Sequence, residues 1–175
     1  IGLTGSIIKN MEKIKNKKMS NGVNTGHPQK EIDYNYITDG IYVGTNQCCQ
    51  THFSEELLTK GIRADISLEK DRVDAPFGVD FYTWIPIEDH SAPTPTQFDF
   101  GVATITKLVA MGEKIYIHCK NGHGRAPTLV AAYLISANGE SPESAEALIK
   151  QARPVMHLWD VQRDALQAFA LRMKK

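Results

Sequence analysis

What this chain lacks narrows the field before any motif is read. It has no net charge: Lys plus Arg and Asp plus Glu number 20 each, so no global field draws it to nucleic acid or an anionic surface. Its one dense basic run, Lys9 to Lys18 (KNMEKIKNKK), reads as a solvated tail or short helix, and no nucleic-acid partner is expected. No apolar run approaches the ~20 residues that cross a bilayer, so no integral membrane segment is expected. The opening IGLTGSII is short and lacks the basic flank of a signal segment. Cysteine is scarce too. Cys48, Cys49 and Cys119 are an odd count in a chain long enough to need no covalent staples, which favours a reducing, cytoplasmic setting. Repeats and low-complexity blocks are absent.

What remains is an ordinary globular composition, 42% apolar and 23% charged over 175 residues, enough for one domain with a normal core. Residues 1–30 are polar and rich in Gly, Asn and Lys; they read as an N-terminal tail or added extension ahead of a domain at 31–175. Tyr34–Gly44 (YNYITDGIYVG) places two β-prone runs around Asp39-Gly40, a hairpin signal. Ser54 with Glu55 and Glu56, closed by Gly61, predicts a short helix. Ile62–Leu68, Phe81–Ile87 and KIYIHC (Lys114–Cys119) predict strands. Thr96 with Asp99 resembles a capping box for a helix to about Met111. Further helices are predicted from Pro127 to about Ala137, after Ser141-Pro142, and from about Asp160 to Arg172. Alternating strands and helices argue an α/β fold, a central mostly parallel sheet of about five strands flanked by helices. In such sheets ligands bind beyond the C-terminal strand ends, where Cys119 falls.

The stretch HCKNGHGR (His118–Arg125) carries the chemistry. Five residues separate Cys119 from Arg125, and Gly122 and Gly124 let the backbone curl. A loop curled into a helix N-terminus turns N–H groups inward as an anion cradle, here residues Lys120, Asn121, Gly122, His123, Gly124 and Arg125. Arg125 can hold two oxygens of a phosphate in a fork. The same setting favours a thiolate, since a free thiol of pKa ~8.5 falls to ~3.5–7.5 in such surroundings. His118 can hold the cysteine backbone by hydrogen bonding. The plain alternative is that Cys119 is a small buried hydrophobe and the glycines serve a turn.

A thiolate displacing an alkoxide from phosphorus needs a proton donor on the far side. Asp89, after a strand and at the head of a Pro-rich loop (IEDHSAPTPTQ), is the candidate; Glu88, one step earlier, faces the other way. Taken alone, both are ordinary solvated loop carboxylates.

HCKNGHGR, with IEDHSAPT about thirty residues upstream, resembles the cysteine-dependent protein tyrosine phosphatase superfamily in its compact dual-specificity branch. The resemblance covers roughly Tyr34 to Phe169 and includes IYVG and ARPVMHLWDVQRDAL. It implies a phosphatase-type fold with the signature loop between a central strand and a helix. It also implies a two-step hydrolysis: Cys119 attacks phosphorus, Asp89 serves as acid and then base, and Arg125 with the loop N–H groups holds the oxygens. Neither metal nor organic cofactor is implied. Gln162 matches a glutamine that some members use to place the hydrolytic water; the other reading is a surface glutamine.

Two departures stand out. The family's hydroxyl after the arginine is replaced by Ala126, which predicts slow hydrolysis of the phosphocysteine; Thr128, two residues on, points elsewhere on a helix. Lys120 and His123 add positive charge, a pattern resembling lipid phosphatases of the phosphatase-and-tensin-homologue type. The expected substrate is a phosphorylated protein, on tyrosine and serine or threonine, or a small phosphorylated molecule. Phosphoinositides or inositol phosphates are the alternative, and a catalytically weak phosphate-binding module is another. Cys48 or Cys49 could protect Cys119 by disulfide formation, or both could be inert and buried. Oligomeric state is not legible.

Overall fold

A computed structural model describes residues 32–174; the basic run at 9–18 and the tail assigned to 1–30 lie outside these residues. β1 (Tyr34–Thr38) and β2 (Ile41–Thr45) form the anticipated hairpin, with Asp39 (φ 48°) and Gly40 (φ 79°) both left-handed at the turn. Positive φ at both central positions matches the right-handed strand twist, which is why Asp-Gly serves there. β3 (Ile62–Glu69), β4 (Phe81–Ile87) and β5 (Lys114–Cys119) complete a five-stranded sheet in the order β1-β2-β5-β3-β4. Only the β1–β2 pair is antiparallel. β5 is therefore central, paired on both sides, and its C-terminal end opens between β2 and β3.

Five helices flank the sheet: α1 (Glu55–Thr59), α2 (Pro95–Ala110), α3 (Arg125–Asn138), α4 (Pro142–Ala152) and α5 (Asp160–Met173). The period-2 alternation of β5 sorts the interior into two parts. Ile115, Ile117 and Cys119 face a large apolar core with α2, α3 and α5, whereas Tyr116 faces a smaller cluster with Cys48, Cys49, Phe53, Leu57 and Ile62. α3 is buried from Arg125 through Ile135, so it is a core helix.

Two predicted boundaries move. The capping box is Thr94 with Gln97: the Thr94 hydroxyl accepts from Gln97 N, and the Gln97 side chain accepts from Thr94 N. Pro95 then occupies the first helical position, where its missing N–H has no cost, and Asp99 instead pairs with Arg172 on α5 at 2.8 Å. α3 starts at Arg125, because Pro127 falls within the first turn, whose N–H groups have no intrahelical partner. Ser54 caps α1 by position, although its hydroxyl makes no capping bond.

α5 closes the large core through Phe169, 2% exposed, whose ring meets Phe98 of α2 with centroids 5.2 Å apart. Phe169→Ala should lower unfolding stability by about 3–5 kcal/mol, read as a reduced urea midpoint at unchanged slope.

Candidate active site

The loop from Cys119 to Arg125 links the end of β5 to the start of α3, and its carbonyls are engaged one by one. Lys120 O accepts from Asn46 N at 3.2 Å, and His123 O from His157 N at 3.0 Å. Gly124 O accepts from both Thr128 N and Thr128 Oγ1 at 2.9 Å. Asn121 O and Gly122 O accept from the Arg153 guanidinium at 3.1 and 2.8 Å. By contrast, the N–H groups of residues 121–124 donate to no protein acceptor among the described residues. Donors left unpaired while every neighbouring acceptor is engaged make a concave anion site. Gly122, at φ 64°, has no room for a side chain: a Cβ there would stand 2.5 Å from Gly44 O.

Arg153 is the support that the residue-by-residue reading missed. It is fully buried, and besides its two loop carbonyls it donates to both Asp33 oxygens (3.1 and 3.0 Å) and to Asn35 Oδ1 at 2.8 Å. Its sequence signal is Arg153-Pro154 in ARPVMHLWDVQRDAL, one of the stretches that carry the resemblance.

Arg125, 2% exposed, is held before any phosphate arrives. Its Nη1 donates to Ile87 O (2.9 Å) and to Glu69 Oε1 (3.3 Å), and its Nη2 lies 3.1 Å from Asp89 Oδ1. Glu69, buried at the end of β3, is a second residue that pattern alone did not single out. Asp89 thus stands over the loop, while Glu88 turns away to pair with Lys70.

The segment after Asp89 is tied down at two points. His90, at φ 61°, sets its ring edge-on to Trp159 with centroids 4.9 Å apart, and Ser91 O accepts from Gln162 Nε2 at 2.9 Å. Gln162 is fully buried and its Oε1 accepts from Trp159 N at 3.0 Å, so the surface reading of this residue is excluded. The resulting cavity, about 130 Å³, is lined by Asp89, His90, Cys119, Lys120, Asn121, His123, Gly124, Arg125, His157, Trp159 and Gln162. Small-molecule clefts are ~300–1,000 Å³, so this one takes a compact anionic head and leaves the rest of its ligand outside.

Two expectations are corrected here, those for His118 and His123. His118 does not hold the Cys119 backbone. Strand alternation turns its ring to the opposite sheet face, where Nε2 lies 3.3 Å from Asp65 Oδ1 and Nδ1 is unpartnered. His123 adds little charge near neutrality, because burial, and after it the cationic Arg153 and His157, lower its pKa from the usual 6.5. Cys48 and Cys49 are bonded to each other, and Cys119 is free. Thr128 commits its hydroxyl to Gly124 O, so it does not replace the hydroxyl absent at Ala126.

A family model described as polymorphic toxin system, DSP-PTPase phosphatase matches residues 40–140, more than half of the chain. The chain belongs to this family. Human phosphatidylglycerophosphatase and protein-tyrosine phosphatase 1 is 39% identical over 77 residues, 44% of this chain and 38% of that one. Dual specificity protein phosphatase 5 of Rattus norvegicus is 36% identical over 76 residues, 43% of this chain and 20% of that one. The chain thus aligns with well under half the length of these relatives. Among solved structures, human DUSP28 superposes with a TM-score of 0.73 at 18% identity, covering 81% of this chain and 95% of that one. The PTPMT1 structure in complex with PI(5)P gives 0.67 at 23%, covering 81% and 96%. The chain is thus built on the fold of these dual-specificity-type phosphatase structures. No helix among its described residues is long and apolar enough to cross a membrane.

Arg153→Ala should strip two loop carbonyls of their donor and leave Asp33 unpaired, lowering vanadate affinity more than tenfold with far-UV circular dichroism retained. Equilibrium dialysis of vanadate checks it. The charge-conserving Arg153→Lys should recover only part, since an ammonium cannot reproduce the fork.

Proposed function

We propose that the cradle built by residues 120–125 holds the phosphoryl group of phosphotyrosine, phosphoserine or phosphothreonine in proteins, and that Cys119 removes it. The observation that carries this reading is the row of unpartnered N–H groups at 121–124, set between Cys119, Arg125 and Asp89. The Cys119 thiolate attacks phosphorus, the P–O bond to the leaving group breaks, and Asp89 protonates the departing oxygen. Arg125 and the loop N–H groups hold the equatorial oxygens, so charge is stabilised without reorganisation at the moment of reaction. Water then attacks the phosphocysteine with Asp89 as base, returning the thiolate and inorganic phosphate. Gln162, between Gly124 and the acid segment, positions both partners of that second step. Because the thiolate must stay reduced, the reading places the phosphatase in a reducing, cytoplasmic compartment.

A second reading, a phosphorylated lipid as substrate, is favoured by one feature. Trp159 and Val161, 46% and 50% exposed, present apolar surface where Trp159 lines the cavity mouth, and the human relative's name includes phosphatidylglycerophosphatase. Comparing kcat/KM for a phosphotyrosine peptide and for phosphatidylglycerophosphate in mixed micelles separates the two.

Cys119→Ser should abolish hydrolysis of an aryl phosphate and retain vanadate binding; residual turnover would overturn the assignment. Asp89→Asn should cost ~10²–10⁴ with alkyl leaving groups and far less with p-nitrophenolate, which departs without a proton. Trp159→Ala and Gln162→Ala, acting through the acid segment, should steepen the same leaving-group dependence. A purely structural role would lower all substrates alike.

The missing hydroxyl at Ala126 predicts accumulation of phosphoenzyme. Stopped-flow mixing with p-nitrophenyl phosphate should give a burst near one equivalent, and Ala126→Ser should remove it while raising steady-state kcat. An unchanged linear trace in both proteins would refute slow dephosphorylation.

A further inference from the structure

On the sheet face opposite the phosphate loop, four side chains with metal-ligating atoms converge that the phosphatase chemistry does not use. Cys48 and Cys49 come from the 3-10 turn after β2 (Asn46–Cys49), Asp65 from β3 and His118 from β5. Their donor atoms all lie within 4.8 Å of one another, and each residue is at most 1% exposed. His118 Nε2 is 3.5 Å from Cys49 Sγ and 3.3 Å from Asp65 Oδ1.

The acid in this cluster is uncommitted. Neither Asp65 oxygen has a hydrogen-bond partner among the described residues; the His118 contact is close but not aligned as one. Its neighbour Asp74 differs, accepting from Ser67 Oγ at 2.6 Å and from Arg72 Nε at 3.0 Å. A buried carboxylate with no donor is costly unless a proton or a cation neutralises it.

The geometry points to a closed, buried zinc site formed by Cys48, Cys49, Asp65 and His118 in the reduced protein. Two thiolates, an imidazole and a carboxylate are a zinc donor set, and a tetrahedron of 2.0–2.3 Å bonds has edges of about 3.3–3.8 Å; His118 already stands at such distances from Asp65 and Cys49, and the two sulfurs must separate on reduction to reach them. Cys48 and Cys49 are joined as a disulfide here, so reduction precedes binding. A dithiol gives two electrons and two protons to the S–S bond, leaving two thiols and its own cyclic disulfide. Zinc then takes both thiolates and releases the two thiol protons to solvent. The bound ion pins His118, the residue before Cys119, to β3 and to the turn after β2. The site does not depend on the phosphatase reading.

Titration of dithiol-reduced, desalted protein with Co²⁺ and then Zn²⁺ tests it, with Cys119→Ser as the background so that the phosphate-loop thiol cannot contribute. One equivalent of cobalt should bring thiolate charge-transfer absorption in the near ultraviolet and visible bands of tetrahedral type. Zinc should displace both and raise the melting temperature. The oxidised protein and Cys49→Ser should show neither band, and Asp65→Asn, nearly isosteric, should lower zinc affinity at least tenfold while keeping its circular dichroism. Absence of the charge-transfer band in reduced Cys119→Ser overturns the site. So does a band that survives in Cys49→Ser, or undiminished zinc affinity in folded Asp65→Asn.

Discussion

The phosphate loop depends on where its carbonyls go. A seven-residue loop with inward N–H groups (Cys119–Arg125) must send its C=O groups the other way, into protein, and each buried carbonyl needs a donor. Those donors come from four separate places: Asn46 after β2, Thr128 in α3, Arg153 after α4 and His157 before α5. Arg153 carries two of them, and Asp33 and Asn35 near β1 fix its fork in turn. The anion site is therefore a property of the tertiary fold, held open from both ends of the chain. Removing one donor leaves a buried carbonyl unpaired, at a cost comparable to a lost hydrogen bond, and loosens the peptide whose N–H faces the site.

The same strand that delivers the thiol separates two chemistries. β5 places Cys119 on the face that meets α3 and the anion site, and His118 on the face that meets Cys49, Asp65 and Asp74. Strand periodicity makes this partition unavoidable, since adjacent residues point to opposite faces. A single residue step along the chain thus divides a solvent-connected anion site from a dry polar cluster. The apolar face could be packed by substituting one aliphatic residue for another; the polar face requires particular atoms at particular distances.

Much of this was legible in the sequence, and the reasons differ by element. The Asp39-Gly40 turn, β5 and the Cys119-to-Arg125 loop are local features, fixed by φ preferences and by residue spacing along one stretch of chain. Asp89 was a candidate only in company: a thiolate displacing an alkoxide needs an acid, and this carboxylate heads the loop after a strand, although taken alone it reads as a solvated loop residue. The capping box was misplaced by two residues because Thr94 and Thr96 both head a cap pattern; the preference for Pro at the first helical position favours Thr94. Arg153, Glu69 and the Trp159–His90 contact were not legible from pattern: they act through partners 32, 56 and about 70 residues away. His118 follows the alternation of β5: next to Cys119 in sequence, it lies on the other face of the sheet, beside Asp65 and Cys49.

Arg125 has two claimants. In the free protein its Nη1 is committed to Ile87 O and Glu69, while Nη2 faces Asp89. A bound phosphoryl group presents a stronger and better-shaped acceptor pair to the guanidinium fork than one carboxylate oxygen does. On the proposed function, the fork would turn to the phosphate, and Asp89 would lose its cationic partner as the leaving oxygen arrives beneath it. His90 and Ser91, anchored to Trp159 and Gln162, keep the acid in place through that exchange, so the carboxyl group changes partner without leaving the site. On that reading the preformed contacts around Arg125 would do two things: hold the guanidinium in the site before binding, and make phosphate binding itself the event that releases the acid for chemistry.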